Sequence, residues 1–342
     1  PTPDPRPLSS VTLVFRYDDY HASVGAEKDA IERRCFAAFA EACIPLTIGV
    51  APHYEERGLL SDDTAKLAAL RQFVGSGRAE AALHGLTHLP HTPPGIRPSE
   101  FAGQPLERQL ERLRRGKELL EAGVGRPVVS FIPPWNTFDA ATLDALNQLG
   151  FTAYSAALSE LQTAEPVVSV PHTCGLAEVR RTVRWLARRA QATPASPSAL
   201  PPPHCFVICM FHHFSFTDCS DALARQHARR SLAELPPLLA WCREQPNVEF
   251  LTVGEVAARY RALLADGRLE EASERWRLVY RSRGAPAGRL ARFVWRWGPR
   301  GVLRRAARHL GPPRALLEPG GWTRGNRWLR RLGCGEPAHG SR

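Results

Sequence analysis

Apolar positions over the first 265 residues switch repeatedly between two periods. Short β-branched or apolar runs at 11–17 (VTLVFRY), 46–51, 79–83, 127–132, 151–155, 166–170, 205–211 and 248–251 predict strands. Between them, helical spacing predicts helices over 27–43, 62–75, 104–121, 139–149, 176–190, 220–244 and 254–265. Local punctuation agrees: Ser61-Asp62-Asp63 suits a helix start, Gly75 and Gly77 a stop, and Asp139 a cap. The Pro-rich stretch 193–203 (TPASPSALPPP) reads as a loop. Strands alternating with helices imply parallel strands joined by helical crossovers, either a closed α/β barrel or a doubly wound open sheet. Polar residues recur just past the C-terminal ends of strands, where barrel enzymes place their chemistry, which favours the barrel.

Charge divides the chain in two. The total is +11, yet residues 268–342 hold 18 Arg and 5 Glu, so that segment carries +13 and the remainder −2. The expected organisation is a barrel over 1–267 and a basic, largely helical extension over 268–342. No apolar run of about 18 residues suggests a membrane-spanning helix. The opening PTPDPRPLSS lacks the basic-then-apolar pattern of a signal peptide. The eight cysteines are scattered without a Cys-x-x-Cys pair, which suits reduced thiols and a cytoplasmic setting.

Four clusters carry candidate chemistry. Asp18-Asp19 follows the first strand, where alternation turns successive carboxylates in different directions, one toward a metal and one toward a base's role. His84 and His88, four residues apart, share one face of a helical turn and suit a divalent ion. With a carboxylate from another strand end they make three protein ligands and leave a place for water, the mark of a catalytic rather than a structural site. His212-His213 ends a strongly apolar strand. Alternation lets only one of these imidazoles face a barrel mouth, as general acid, and leaves open which. Finally, Pro133-Pro134-Trp135-Asn136 stiffens a strand exit and offers an aromatic face for a sugar and a backbone N–H for an oxyanion.

In order and spacing these clusters resemble the polysaccharide deacetylases, the NodB-homology carbohydrate esterases (family 4), and especially a divergent Pro-Pro-Trp-Asn branch. Arg16-Tyr17-Asp18-Asp19 is similar to the family's Thr-Phe-Asp-Asp. His84-Gly85-Leu86-Thr87-His88 is similar to its His-Ser/Thr-x-x-His, with Gly85 at the hydroxyl position. Ile132-Pro133-Pro134-Trp135 is similar to its Arg-x-Pro-Tyr, the run into His212 or His213 to its Leu-x-x-His, and residues 251–255 to its closing strand-to-helix segment. The resemblance covers roughly residues 10–262. It implies a distorted (β/α)7-type barrel that hydrolyses the acetamide of an N-acetylhexosamine. Asp19, His84 and His88 would hold one divalent ion, with zinc expected, and Asp18 would serve as base. His212 or His213 would protonate the amine, and Arg16, Tyr20, Pro134, Trp135 and Asn136 would line the substrate and oxyanion positions. The family's third-motif Arg is Ile132 here, and Arg16 is the residue placed to substitute. The fourth-motif Asp has no evident match, although His172 and Glu178 lie in that region.

The extension mixes Arg with Trp295, Trp297, Trp322 and Trp328, and residues 290–310 read as a basic amphipathic helix broken near Gly298-Pro299. Such a segment suits an anionic membrane surface or plain solvation, and less well nucleic acid. The implied partner is an N-acetylated glycan or a lipid-linked saccharide, the lipopolysaccharide core among them, met in the cytoplasm at the inner membrane. Rival readings are a metal-dependent deformylase or amidase, a catalytically inactive glycan-binding barrel and, last, a nucleic-acid-binding protein.

Overall fold

A computed structural model describes residues 11–265 apart from 56–57, 158–166, 185–204 and 247. The expected extension over 268–342, its boundary with residues 1–267 and the loop 193–203 lie outside the described residues. The strands are β1 (Val11–Tyr20), β2 (Leu46–Val50), β3 (His53–Tyr54), β4 (Gly58–Leu59), β5 (Ala79–Leu83), β6 (Ser130–Phe131), β7 (Ala153–Tyr154), β8 (Val168–Ser169), β9 (Cys205–Phe211) and β10 (Val248–Phe250). The first four helices are α1 (Ala26–Ala42), α2 (Thr64–Gly75), α3 (Leu106–Val124) and α4 (Ala140–Gln148). Among the described residues no helix is long and apolar enough to cross a membrane.

Strand β1 is the hub. One of its edges pairs with β9 from Val11 to Tyr17; the other pairs with β10 at Val11–Leu13 and then with β2 from Phe15 onward. Parallel pairing continues from β2 through β5, β6 and β7 to β8. Just beyond β8 the chain bridges Ala157 to His172 and Cys174 to Cys209 of β9. Residues 172–174 thus return the far edge to β9 and close a seven-stranded parallel barrel, with β10 abutting β2 end to end. The barrel expectation holds, and the open-sheet alternative falls.

Alternation along β1 divides the interior from the helical layer. Phe15 and Tyr17 face outward onto Phe39 and Phe36 of α1, with ring centroids 5.1 and 6.0 Å apart. Each such fully buried aromatic contributes roughly 2–3 kcal/mol relative to exposure. Thr12, Val14, Arg16 and Asp18 take the opposite face and are also buried. Strand β9 repeats the pattern: Phe211 packs on Phe39 and Tyr17, so His212 follows the inward face of Ile208 and Met210.

Several expected boundaries shift for physical reasons. β1 runs to Tyr20, so the aspartates lie within the strand. The 220–244 helix is two helices, Ala222–His227 and Leu235–Arg243. Ala228 turns extended, Phe216 bridges Arg230, and Pro236 and Pro237 fit only the first turn of a new helix. The β3–β4 hairpin has strands too short for periodicity to register. The strand expected over 127–132 is regular only at Ser130–Phe131.

Helix α4 starts at a full capping box. The Asp139 carboxylate accepts from the N–H of Thr142 (3.0 Å) and of Gly103 (2.7 Å), tying the α3 approach loop to α4. Burial pushes this carboxyl up, and the N–H groups of Gly103 and Thr142 outweigh it, so it sits below the ordinary carboxylate value. A carboxyl depressed in the fold stabilises above its unfolded pKa of about 4 and loses that contribution as pH falls through its lower folded value. Asp139→Ala is expected to cost about 1 kcal/mol in urea unfolding at neutral pH. Its deficit against wild type narrows below about pH 4; a constant deficit there contradicts the cap's role.

Candidate metal-binding active site

Five strand ends meet at the C-terminal mouth of the barrel. They carry Asp18 and Asp19 (β1), His84 (β5), Ile132 to Asn136 (β6), Ser155 (β7) and His212 (β9). Asp19 adopts φ 69°, a left-handed value unusual for a non-glycine residue, and the β1–β2 register shifts between Tyr17 and Tyr20. Simple alternation would have turned one carboxylate away. With this irregularity both reach the same imidazole: His212 Nε2 lies 3.9 Å from Asp18 Oδ2 and 3.7 Å from Asp19 Oδ2.

Asp19 is the centre of the cluster. Its Oδ1 lies 3.1 Å from His84 Nε2 and 3.3 Å from His88 Nε2, and one donor atom from each residue falls within 4.8 Å of the others. The Ile132 carbonyl accepts from His84 Nδ1 at 2.8 Å, which fixes the ring and turns Nε2 toward Asp19. Two imidazole nitrogens and a carboxylate oxygen form the donor set that zinc and related divalent ions take in catalytic sites, so the residues fit such an ion.

Asp18 is held by Arg16, which is fully buried and donates twice, Nε to Oδ1 (2.8 Å) and Nη2 to Oδ2 (2.5 Å). Arg16 Nη1 is anchored in turn on the carbonyl and hydroxyl of Ser155, both at 2.8 Å. Burial pushes the Asp18 carboxyl up, but Arg16, His84 and His212 outweigh it and keep it below the ordinary value. Asp19 is depressed further, since His212, His84 and His88 together overcome its burial. Burial lowers His84, yet the hydrogen bond it gives Asp19 and the two carboxylate charges raise it overall; burial prevails at His88 and His212, which titrate lower than usual.

The loop that carries the histidines rests on Glu100, which sequence reading missed. Its buried carboxylate accepts from the N–H of Leu86, Thr87 and His88, each at 3.0 Å, and from Arg112 at 2.9 Å. The residue sits in a proline-rich, loop-like stretch with no periodic signal, so only its three-dimensional position reveals it. Gly85 is also explained: at φ 76°, an added Cβ would lie 2.1 Å from Glu100 Oε2 and 2.8 Å from Pro134 Cγ.

The remaining expectations divide. Trp135 stands with its ring 4.4 Å from that of His88, on a turn where Trp135 and Asn136 are both left-handed. Pro134 is buried against Gly85, and the buried Asn136 Oδ1 has no hydrogen-bond partner among the described residues. His213 Nε2 points to Asp221 at 3.7 Å, and burial with the Lys28 charge lowers the imidazole to about 4. Tyr20 is not brought to the mouth. Its hydroxyl donates to the Lys66 carbonyl at 2.7 Å and its ring packs on Phe36, because the strand face it occupies is the helical one. Gly85→Ala combines left-handed strain with a steric clash and is expected to cost about 2–4 kcal/mol in urea unfolding. Wild-type stability in that variant would contradict the packing of Glu100 under the loop.

No protein-family model and no curated protein matches the sequence. Solved structures do match. A protein from Mycobacterium smegmatis assigned to the polysaccharide deacetylases superposes with a TM-score of 0.50 at 17% identity, covering 77% of this chain and 93% of its own. The 4-alpha-glucanotransferase from Thermococcus litoralis superposes with a TM-score of 0.51 at 11% identity, over 72% of this chain and 40% of the other. The same barrel therefore serves more than one chemistry, and the side chains at its mouth must decide between them. By fold, this chain is similar to the polysaccharide deacetylases.

Proposed function

We propose that the chain is a metal-dependent de-N-acetylase that hydrolyses the acetamide of an N-acetylhexosamine in a glycan or lipid-linked saccharide. The observation that carries this reading is the convergence of Asp19, His84 and His88 beside an Arg16-held Asp18 and a third imidazole, His212. Asp19, His84 and His88 would hold the ion, with zinc the expected one. When bound, it polarises the amide carbonyl and makes water more acidic.

The chain's own residues supply the proton traffic. Asp18, kept ionised and oriented by Arg16, accepts a proton from the attacking water. His212, within 4 Å of both carboxylates, passes a proton to the departing amine nitrogen. The carbon–oxygen bond forms first, leaving a tetrahedral oxyanion whose collapse breaks the carbon–nitrogen bond and gives acetate and a free hexosamine amine. The N–H of the left-handed Trp135 turn faces the developing oxyanion, and the Trp135 ring packs against the sugar. His213, paired with Asp221, stands outside this traffic.

A lipid-linked acceptor such as a lipopolysaccharide core suits the Arg- and Trp-rich segment 268–342, whose composition fits an anionic membrane surface. Cytoplasmic residence at the inner membrane is the matching proposal. The six free cysteines among the described residues accord with a reducing compartment.

Acetate release from N-acetylated hexosamine oligosaccharides, measured after chelation and after zinc is restored, tests the reaction. Activity should vanish with the metal and return with it. Asp18→Asn and His212→Ala should each lower kcat by about 10²–10⁴, while His213→Ala stays within about tenfold of wild type. The reverse ranking of the two histidines hands the acid's role to His213. Formate release, or hydrolysis of non-glycan amides alone, replaces the substrate class, and no hydrolysis with metal bound leaves a glycan-binding barrel.

A further inference from the structure

Lys28 lies in the first turn of α1 and is 7% exposed, an unusual place for an ammonium. Its Nζ donates to the backbone carbonyl of Asp19 at 2.7 Å and to His21 Nε2 at 2.5 Å, and it lies 3.9 Å from Glu32 Oε1. Two acceptors thus receive its N–H groups, and a carboxylate balances its charge. His21 is disposed to receive this bond, because its Nδ1 donates to the Ala22 carbonyl at 2.7 Å and leaves Nε2 as an acceptor. The His21 ring then stacks on Tyr54, with centroids 3.5 Å apart and planes 8° apart. Tyr54 in turn lies against His88, with centroids 5.8 Å apart. Behind Lys28, Glu32 is fixed by Lys66 (2.6 Å) and by the Tyr17 hydroxyl (2.9 Å).

This network grips the one residue of β1 whose backbone leaves the strand region. A left-handed, non-glycine Asp19 persists only where its surroundings over-determine it, and its carbonyl is held by a buried cation carried on the neighbouring helix. We propose that Lys28 is a positioning residue for the metal centre. Through the Asp19 carbonyl it sets the backbone turn that directs the Asp19 carboxylate between His84 and His88, and through His21 and Tyr54 it supports the wall beside His88. The proposal rests on the metal-site reading above. It assigns Lys28 no contact with substrate.

Zinc affinity is the direct readout, measured by competition with a chromophoric chelator on the full chain, with folding followed by circular dichroism. Lys28→Met keeps the length and apolar stem but removes all three donors, and should weaken zinc binding about 10- to 100-fold, as loss of supporting partners does at metal sites. Lys28→Gln, which retains a shorter amide with two N–H donors, should fall between Lys28→Met and wild type. Tyr17→Phe removes a hydrogen bond from the same buried network without touching Asp19; it should lower Tm and leave the zinc Kd unchanged. Folded Lys28→Met with wild-type zinc affinity overturns the proposal, as does an equal loss in Tyr17→Phe, which would make the effect one of stability alone. Should Lys28→Met not fold, Lys28→Gln decides: weakened zinc supports the positioning role and unweakened zinc overturns it. A wild-type chain that binds no zinc sinks the metal-site reading itself, a result distinct from all of these.

Discussion

The site depends on a break in one strand. β1 alternates strictly from Thr12 to Asp18, and then Asp19 enters the left-handed region while the register with β2 slips. Regular alternation separates consecutive side chains to opposite faces; the break returns the second carboxylate to the mouth that the first already faces. Without it, His84 and His88 would have no carboxylate between them, and Asp18 would stand alone beside His212. The cost of that backbone state is on the order of 1–3 kcal/mol and is borne by what surrounds it, the Lys28 bond to the Asp19 carbonyl included.

Two negative charges gathered this closely need compensation, and it comes in two forms. Asp18 receives a fixed cation: Arg16 sits two residues earlier on the same face, fully buried, with Ser155 fixing its far side. Among the described residues, Asp19 instead meets imidazoles and a backbone contact from Lys28, groups that would give way to a metal ion on the proposed reading. On the proposed reading, that asymmetry suits the two adjacent aspartates to different work, one as a base and one as a ligand. The barrel positions these groups without dictating their chemistry, as the shared fold of a glucanotransferase illustrates.

Much of this was legible in the sequence because it obeys short-range rules. The strand–helix rhythm predicts the parallel barrel, and the residues at the strand ends are the ones that meet at its mouth. Strand parity brings His212 inward with Ile208 and Met210. Parity fails where the backbone is irregular: it separates Asp18 from Asp19, and only the left-handed turn brings them together. Tyr20 was misplaced for the same reason, since beyond the break its neighbours along the chain no longer predict its face. Glu100, Lys28 and Ser155 were illegible because each acts through a backbone carbonyl, a backbone N–H or an arginine distant in sequence, and no local pattern encodes such partners. The double helix at 222–243 turned on Pro236-Pro237, a signal present in the sequence and outweighed by the apolar periodicity around it.

On the proposed reading, Asp19, His84 and His88 together hold a divalent ion. X-ray absorption at the zinc edge of the zinc-loaded protein tests it most directly. The predicted result is a shell of nitrogen and oxygen donors at about 2.0–2.2 Å, containing two imidazoles and no sulfur. A shell with thiolate sulfur at about 2.3 Å, or one with fewer than two imidazoles, would contradict it.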